Sequence, residues 1–327
     1  MIPLAEIREP RPMEIHGGAI STTTDVWNML AAAKDGDLET VKALVDKLPA
    51  LAHCQYEYTS PLHLAVREGG RDVVEFLIVH RAFDPGYKTH PFLESLTIVA
   101  EDRGFDDIAR VLREAADNPA LCNEWGDTGK IDLGLDDEQM RFQQAADHSR
   151  YEEVEAMLAE RPDLTLNELA FWGEGMLCMP AKNGDHRMIE LLMGHGARVP
   201  KLSKWGERYY FKHTETARFL LGNGMDPDHS NWHRTTLLHD KARLGDIEKT
   251  ALLLDHGADI DAFDEEFCST ALGFAARWGQ HEMVMFLIGR GADVSRAGAP
   301  WATPLTWARK KGHKEVEAAL LAAGATE

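Results

Sequence analysis

The stretch TTLLHDKARLGDIEKTALLLDHGADIDAFD, residues 235–264, decides the fold. It contains two short apolar segments with helical spacing, separated by Gly245 and closed by Gly257. A glycine just past an apolar helix suits the left-handed backbone conformation, which other residues adopt only at an energetic cost. The stretch therefore predicts two short helices with a glycine turn between them and a glycine cap after the second.

The same pattern recurs along the chain with a period near 33 residues. The predicted turn positions are Gly36, Gly69, Gly104, Ser149, Gly184, Lys212, Gly245, Gly279 and Gly312. Capping glycines follow 12 residues after the last five of these positions, at Gly196, Gly224, Gly257, Gly291 and Gly324. Ser149 is assigned only from the helical segment YEEVEAML that follows it, and Lys212 from its capping glycine. The interval from Gly104 to Ser149 is long, at 45 residues, and that from Gly184 to Lys212 is short, at 28.

Several units also open alike, with a hydroxyl residue that can cap the first helix and, in two of them, a proline at its first position. These openings are Ser60-Pro61-Leu62-His63, Thr236-Leu237-Leu238-His239 and Thr303-Pro304-Leu305-Thr306. A 33-residue unit with this opening, two helices and a final Gly-Ala-Asp resembles the ankyrin repeat. The resemblance extends from about Asp25 to the C-terminus and is clearest in SPLHLAVREGGRDVVEFLI, residues 60–78.

The resemblance implies an all-α ankyrin-repeat solenoid of about nine stacked helix-turn-helix units with β-hairpin-like finger loops. Each unit would bury its apolar face only against its neighbours, so the repeats are expected to form one domain over residues 25–327. Residues 1–24 are expected to form an extended arm outside the repeats. The two irregular intervals predict an acidic insertion at about residues 118–138 and an irregular short repeat at about residues 203–231.

Charge and cysteine content restrict the function further. The chain of 327 residues carries 35 basic and 54 acidic residues, a formal net charge of −19, which disfavours nucleic-acid and membrane partners. The four cysteines are far apart and form no metal-binding motif, so we expect reduced thiols and neither a metal nor a cofactor. The N-terminus lacks the basic and apolar regions of a secretion signal, which favours a cytoplasmic location.

Residues that helix stacking does not use are the candidates for recognition. Two residues before each turn, six of nine positions are basic, namely Lys34, Arg67, Lys182, Arg243, Arg277 and Lys310. In a solenoid they would line the concave groove as a stripe and bind an acidic peptide or a small anionic molecule. The alternative is that they only solvate the groove or pair with adjacent acids such as Asp35 and Glu68.

Aromatic residues concentrate in the fingers and first helices, and aromatic and arginine side chains dominate binding hot spots. The candidate partner-binding aromatics are Trp172, Trp205, Tyr209, Tyr210, Trp232, Trp278 and Trp301. The other candidates are His233 and the basic residues Arg67, Lys182, Arg243, Arg277 and Lys310. The short repeat would leave a notch lined by several of these rings. The notch is either an open pocket or is filled by the aromatics as core, and the polar neighbours of Trp232 predict that this ring is exposed.

Catalytic signals are weak. The segment HSNWH, residues 229–233, lacks the glutamate of the HExxH zinc motif, and no nucleophile elbow or phosphate-binding glycine loop is present. Glu174, Asp185 and His186 are acid–base types that would matter only if a pocket joined them. We therefore predict a non-enzymatic, cytoplasmic protein-interaction module that binds an acidic or mixed segment of a protein partner in its groove. The alternatives are an enzyme or small-molecule receptor with an aromatic pocket within residues 170–245, and a passive scaffold for oligomer assembly.

Overall fold

The computed structural model of the chain describes residues 1–123 and 129–326. These residues are mostly helical. The α-helices are α1 (Thr23–Asp35), α2 (Leu38–Lys47), α3 (Pro61–Glu68), α4 (Arg71–Val79), α5 (Leu96–Arg103), α6 (Asp106–Ala116), α7 (Asp137–Asp147), α8 (Tyr151–Glu160), α9 (Ala170–Gly173), α10 (Cys178–Asn183), α11 (His186–Gly194), α12 (Gly206–Tyr209), α13 (Thr214–Gly222), α14 (Leu237–Leu244), α15 (Ile247–Asp255), α16 (Ala271–Arg277), α17 (His281–Gly289), α18 (Pro304–Lys311) and α19 (Lys314–Ala322). Short 3₁₀ helices span Ala5–Ile7, His16–Gly18, Pro49–His53, Pro119–Leu121, Pro162–Leu166 and Pro300–Ala302.

The predicted helical hairpins are present, and local backbone chemistry explains their ends. The Ser60 hydroxyl accepts a hydrogen bond from the His63 N–H at 3.1 Å, which caps α3, and Pro61 occupies the first helical position, where no amide partner is lost. Gly245 adopts φ +72° in the turn after α14, and Gly257 adopts φ +93° after α15. The turn and cap assigned to these glycines from sequence are therefore confirmed.

The two turn positions without glycine behave differently. Ser149 has φ +55°, so it occupies the left-handed turn that the following helical segment predicted. Around Lys212 the first helix is shortened instead, because α12 has only four residues and α13 begins at Thr214. The five residues missing from this unit are thus taken from its first helix and the loop before it.

Contacts divide the described chain into two compact units, which are considered separately. The N-terminal unit, Glu6–Leu133, contains α1–α6, and its first helices α1, α3 and α5 pack in succession. It also contains a small antiparallel sheet with the order β2-β1-β3, formed by β1 (Pro12–Glu14), β2 (Ile20–Thr22) and β3 (Lys130–Ile131). Met13 lies opposite both Ser21 and Ile131 and is buried.

This sheet qualifies the expected all-α fold. The arm contributes β1 and β2, and the acidic insertion contributes β3, so these two segments outside the repeats pair with each other. The strands are only two or three residues long, which leaves no helical or alternating pattern long enough to detect in the sequence. Residues 124–128 of the predicted insertion lie outside the described residues.

The C-terminal unit comprises Met1–Ala5 and Gly134–Glu327. Its first helices α10, α12, α14, α16 and α18 contact one another in succession, while α11, α13, α15, α17 and α19 are the second helices of the same hairpins. Leu238, Leu253 and Phe274 are fully buried between these layers. Burial of such a side chain stabilises the fold by about 1.5–3 kcal/mol. The row of first helices places the residues that precede each turn side by side.

Candidate functional site

The first helices of the C-terminal unit carry cations that lie against aromatic rings. Each cation is two residues before a turn, as the sequence analysis proposed for a binding stripe. At partly exposed sites such contacts are worth about 0.5–1 kcal/mol each, so the rings hold the cations in place. We define the cation–aromatic ladder as the three pairs Lys182–Tyr209, Arg243–Trp278 and Lys310–Trp307, with cation-to-centroid distances of 5.9, 5.8 and 5.5 Å.

The ladder keeps its cations accessible while its rings are fixed. Lys310 is exposed, and Lys182 and Arg243 are half-buried. The Trp307 ring is fully buried, and its indole N–H donates to the Ser269 hydroxyl at 3.1 Å. Lys310 therefore lies at the surface above a ring that the fold holds in place.

Arg277 does not belong to an open stripe, contrary to the sequence expectation. Its side chain is only 3% exposed, and its guanidinium carbon lies 4.2 Å from the Trp307 centroid, 4.6 Å from Phe267 and 5.2 Å from Trp278. A planar, weakly hydrated guanidinium stacks well on rings, so three aromatics from neighbouring segments enclose it. Arg277 orders the aromatic floor instead of presenting its charge to a groove.

Arg67 in the N-terminal unit is also buried, with 2% exposure. Its Nε and Nη2 atoms both donate to Glu68 Oε1, at 2.9 and 2.7 Å. The expected exposure of Arg67 is thus wrong, and at this position the alternative of pairing with the adjacent acid holds. Lys34 likewise lies 3.7 Å from Asp35.

Acidic side chains next to the ladder moderate its charge. Asp240 lies 3.6 Å from Arg243, and burial raises the pKa of the Asp240 carboxyl to about 6. One helical position away, the buried Lys241 ammonium donates to Glu207 at 2.7 Å. The charge of Lys241 is therefore used within the fold.

The short repeat is filled at its centre, which corrects the prediction that Trp232 is exposed. Tyr210 is fully buried and its hydroxyl donates to the Glu174 carbonyl. Trp232 is 3% exposed and lies against the buried His233, with ring centroids 3.8 Å apart. Both rings are therefore enclosed by the fold and do not line an open notch. The core alternative is correct for both side chains.

The other predicted aromatics keep some solvent access. Trp172 is 66% exposed and has φ +59°, directly after Phe171 with φ +50°. Trp205 is half-buried under the Arg208 guanidinium at 4.8 Å, and Trp301 packs edge-on against Trp307 at 5.8 Å. Two successive aromatic residues in the left-handed region are strained, so the turn at Trp172 displays its ring at a cost in backbone energy.

Polar pairs that resemble catalytic groups are closed to solvent or used for capping. The Ser203 hydroxyl lies 2.7 Å from His229 Nε2, but both residues are buried, and burial lowers the pKa of His229 to about 4. Asp185 caps α11 by accepting from the Met188 N–H at 3.0 Å. His186 contacts the Thr216 hydroxyl at 3.0 Å. The structure therefore gives Asp185 and His186 separate structural partners.

His239, on α14 in the repeat after the short one, also has structural partners. His239 Nδ1 accepts from the Thr236 N–H at 3.2 Å and Nε2 donates to the Ser269 carbonyl at 3.1 Å, which ties one unit to the next. Within residues 1–123 and 129–326 no group of three His, Cys, Asp or Glu side chains is arranged to hold a metal ion.

Sequence reasoning missed two features of the C-terminal unit. One is the aromatic enclosure of Arg277, which requires Phe267 and Trp307 from separate repeats. The other is a cavity of about 440 Å³ beside α11 and α13, lined in part by Arg198 and Met225. A signal for the cavity exists in the sequence, because Arg198 stands where later repeats have Asp259 and Asp293.

Stacked helical hairpins with glycine turns define a helical repeat protein, and comparison with known families identifies the repeat. Residues 58–90 match the model described as "Ankyrin repeat", and residues 207–298 match "Ankyrin repeats (3 copies)". The chain therefore contains ankyrin repeats in these two segments.

Similar curated proteins share only a segment with this chain. The chain is 35% identical over 117 residues to the ARF GTPase-activating protein Git of Drosophila melanogaster, an alignment that covers 34% of this chain and 16% of the relative. It is 31% identical over 110 residues to the ankyrin repeat, SAM and basic leucine zipper domain-containing protein 1 of Dasypus novemcinctus, covering 32% and 23% of the two chains. These similarities cover less than a quarter of either relative. None of the helices in the described part of the chain is long and apolar enough to cross a bilayer.

Proposed function

We propose that the chain is a protein-interaction module whose cation–aromatic ladder binds an acidic segment of a protein partner. Ankyrin repeats generally mediate contacts between proteins, and the proposal extends this role to a solenoid with a specific recognition surface. The observation that carries it is the placement of Lys182, Arg243 and Lys310 on α10, α14 and α18, alternate helices in one row of first helices, each over a ring. In a chain with net charge −19, such a cationic surface selects for acidic partners.

The spacing of the ladder favours an extended segment. First helices that pack against one another are about 8–10 Å apart. The ladder cations lie on every second first helix, so one step of the ladder spans about 16–20 Å. An extended peptide rises about 3.3 Å per residue, so side chains about five or six residues apart match this step. The partner segment is accordingly an extended peptide with acidic side chains at intervals of about five or six residues. The four cysteines are free thiols, which supports a cytoplasmic setting as part of the proposal.

The experiment is a selection from a random peptide library displayed on phage, with the full chain as bait. Recovered peptides should be enriched in Asp and Glu, and their binding should weaken with salt because exposed charges are screened. The variant Lys182→Glu/Arg243→Glu/Lys310→Glu should lose this binding. The matched control Arg187→Glu/Arg218→Glu/Arg290→Glu makes the same change in net charge on α11, on α13 and directly after α17, and should retain this binding. Peptides without acidic enrichment, or equal binding by both triple variants, would show that the ladder is not the site.

A further inference from the structure

Carboxylates that follow the capping glycines form a regular series in the C-terminal unit. Two residues after the cap, each accepts a hydrogen bond from the backbone N–H two residues further on and so fixes a tight turn. The series is Asp226 to the Asp228 N–H at 2.9 Å, Asp259 to the Asp261 N–H at 3.0 Å, and Asp293 to the Ser295 N–H at 2.9 Å.

A second series connects each of these turns to the next repeat. Asp228 Oδ1 accepts from the Asp259 N–H at 2.8 Å, Asp261 Oδ1 accepts from the Asp293 N–H at 3.1 Å, and Ser295 Oγ accepts from the Thr326 N–H at 3.2 Å. Each side chain therefore supplies the acceptor for one amide of the following unit. We call these contacts the inter-repeat links.

The inter-repeat links are interrupted one repeat earlier. The residue two positions after Gly196 is Arg198, and the position that supplies the link is Pro200, which has no side-chain acceptor. As a consequence, the Asp226 N–H has no hydrogen-bond acceptor among the residues that the structure describes. At this repeat the backbone N–H of Asp226 is therefore left without the side-chain acceptor that the later repeats supply.

The cavity of about 440 Å³ lies at this interruption. Its base is formed by the buried side chains of Leu220 and Met225, and its walls include the half-buried Met193 and Val199. Asp226 lies at the rim. The volume falls within the range of about 300–1,000 Å³ that is usual for small-molecule sites with mainly apolar walls.

Positive charge is held at the same rim. Arg198 Nη1 donates to the Met193 carbonyl at 3.0 Å and to the Ala197 carbonyl at 2.7 Å, which fixes the guanidinium beside the cavity. Its Nε and Nη2 atoms, and the Lys201 ammonium, have no partner within the described ranges. Two cations thus line an apolar cavity at the point where a carboxylate is missing from the series.

We propose that this cavity binds a small amphipathic carboxylate, whose anionic head takes the place of the missing inter-repeat acceptor. The head would accept from the Asp226 N–H and from the free donors of Arg198 and Lys201, and the apolar tail would lie against Met193 and Met225. This site is distinct from the cation–aromatic ladder, so it adds a small-molecule ligand to the proposed protein partner.

Octanoate is the test probe, with octan-1-ol and acetate as controls that lack the charge and the apolar tail respectively. In the full chain labelled with ¹³C at the methionine methyl groups, octanoate should shift the Met193 and Met225 signals, assigned through Met193→Leu and Met225→Leu. Octan-1-ol should bind at least about tenfold more weakly, because charge-assisted hydrogen bonds are lost. Octanoate that leaves both signals unmoved, or octan-1-ol that binds equally well, would overturn the proposal.

The variant Arg198→Asp/Pro200→Asp restores the series found in the later repeats and places a carboxylate at the proposed position of the ligand. It should fold with an unchanged or higher unfolding temperature and should weaken octanoate binding by at least about tenfold. Arg198→Leu provides a second test if the double variant does not fold. The control Arg218→Asp introduces the same charge change as Arg198→Asp on α13, outside the cavity, and should bind octanoate like the parent chain.

Unchanged octanoate binding by the double variant would also overturn the proposal. The ladder variant Lys182→Glu/Arg243→Glu/Lys310→Glu should still bind octanoate, and this result separates the cavity from the proposed peptide site. Loss of octanoate binding in that folded variant would contradict the assignment of the ligand to the cavity.

Discussion

Replacement of Trp232 by alanine is the sharpest test of how the short repeat is built. The ring is 3% exposed and packs on His233, so its removal leaves a large void in the core. Changes from a large to a small core side chain cost about 3–5 kcal/mol, which includes both lost burial and the residual cavity. In a unit of this size each kcal/mol lowers the unfolding temperature by roughly 2–4 °C, so a decrease of roughly 10 °C is expected.

The assay is urea and thermal unfolding followed by circular dichroism, with Trp172→Ala as the matched control. Trp172 is 66% exposed, so its loss should change the free energy of unfolding by less than about 0.5 kcal/mol. If Trp232→Ala also lost less than about 1 kcal/mol, the ring would not be core and the reasoning on the filled notch would be refuted.

Three further predictions test local features of the same unit. Gly206→Ala should destabilise the chain by about 1–3 kcal/mol in urea unfolding, because a Cβ atom there would lie 2.6 Å from His229 Nε2 and 2.9 Å from Ser203 Oγ; wild-type stability would show that this contact relaxes freely. Trp172→Gly should leave the free energy of unfolding within about 1 kcal/mol of the parent or raise it, since glycine accepts φ +59° without strain, and a larger loss would mean that the ring packs. Burial lowers the pKa of His239 to about 4, below the usual 6.5, so the unfolded chain takes up this proton first and stability falls as the pH drops from about 6.5 to 4. The parent should therefore lose up to about 3 kcal/mol more over this range than His239→Gln, measured by urea unfolding at each pH, and equal losses would contradict a buried neutral imidazole.

The features that sequence predicted correctly depend on residues close together in the chain. A left-handed turn at Gly245 or Ser149 is a property of one backbone position and the helix beside it. The cap that Ser60 gives to α3 involves an amide three residues away. Turns and caps of this kind depend on residues within about one helical turn of each other. The period, the hairpins and the shortened repeat could therefore be predicted from the sequence.

The features that sequence did not predict depend on atoms brought together by packing. The Trp232 carbonyl accepts from the Ile2 N–H at 2.9 Å, although 230 positions separate the two residues. Strands β1 and β3 are likewise distant in the chain. Polar neighbours such as Asn231 made Trp232 resemble an exposed finger, because a single sequence does not reveal which distant segment covers a ring.

The interruption at Arg198 and Pro200 shows how a repeat sequence can still indicate a site that packing creates. In a regular series of repeats, each position makes the same hydrogen bond in every unit. When one unit has a residue that cannot make this bond, the missing contact can be identified from the sequence. Here the missing contact is an acceptor for the Asp226 N–H. In the later repeats, Asp228 accepts from the Asp259 N–H and Asp261 accepts from the Asp293 N–H. A proline cannot accept it, and an arginine two residues earlier reverses the charge of the turn. The chemistry missing from the protein therefore specifies the chemistry of the ligand: an acceptor, negatively charged, attached to a group that tolerates apolar walls.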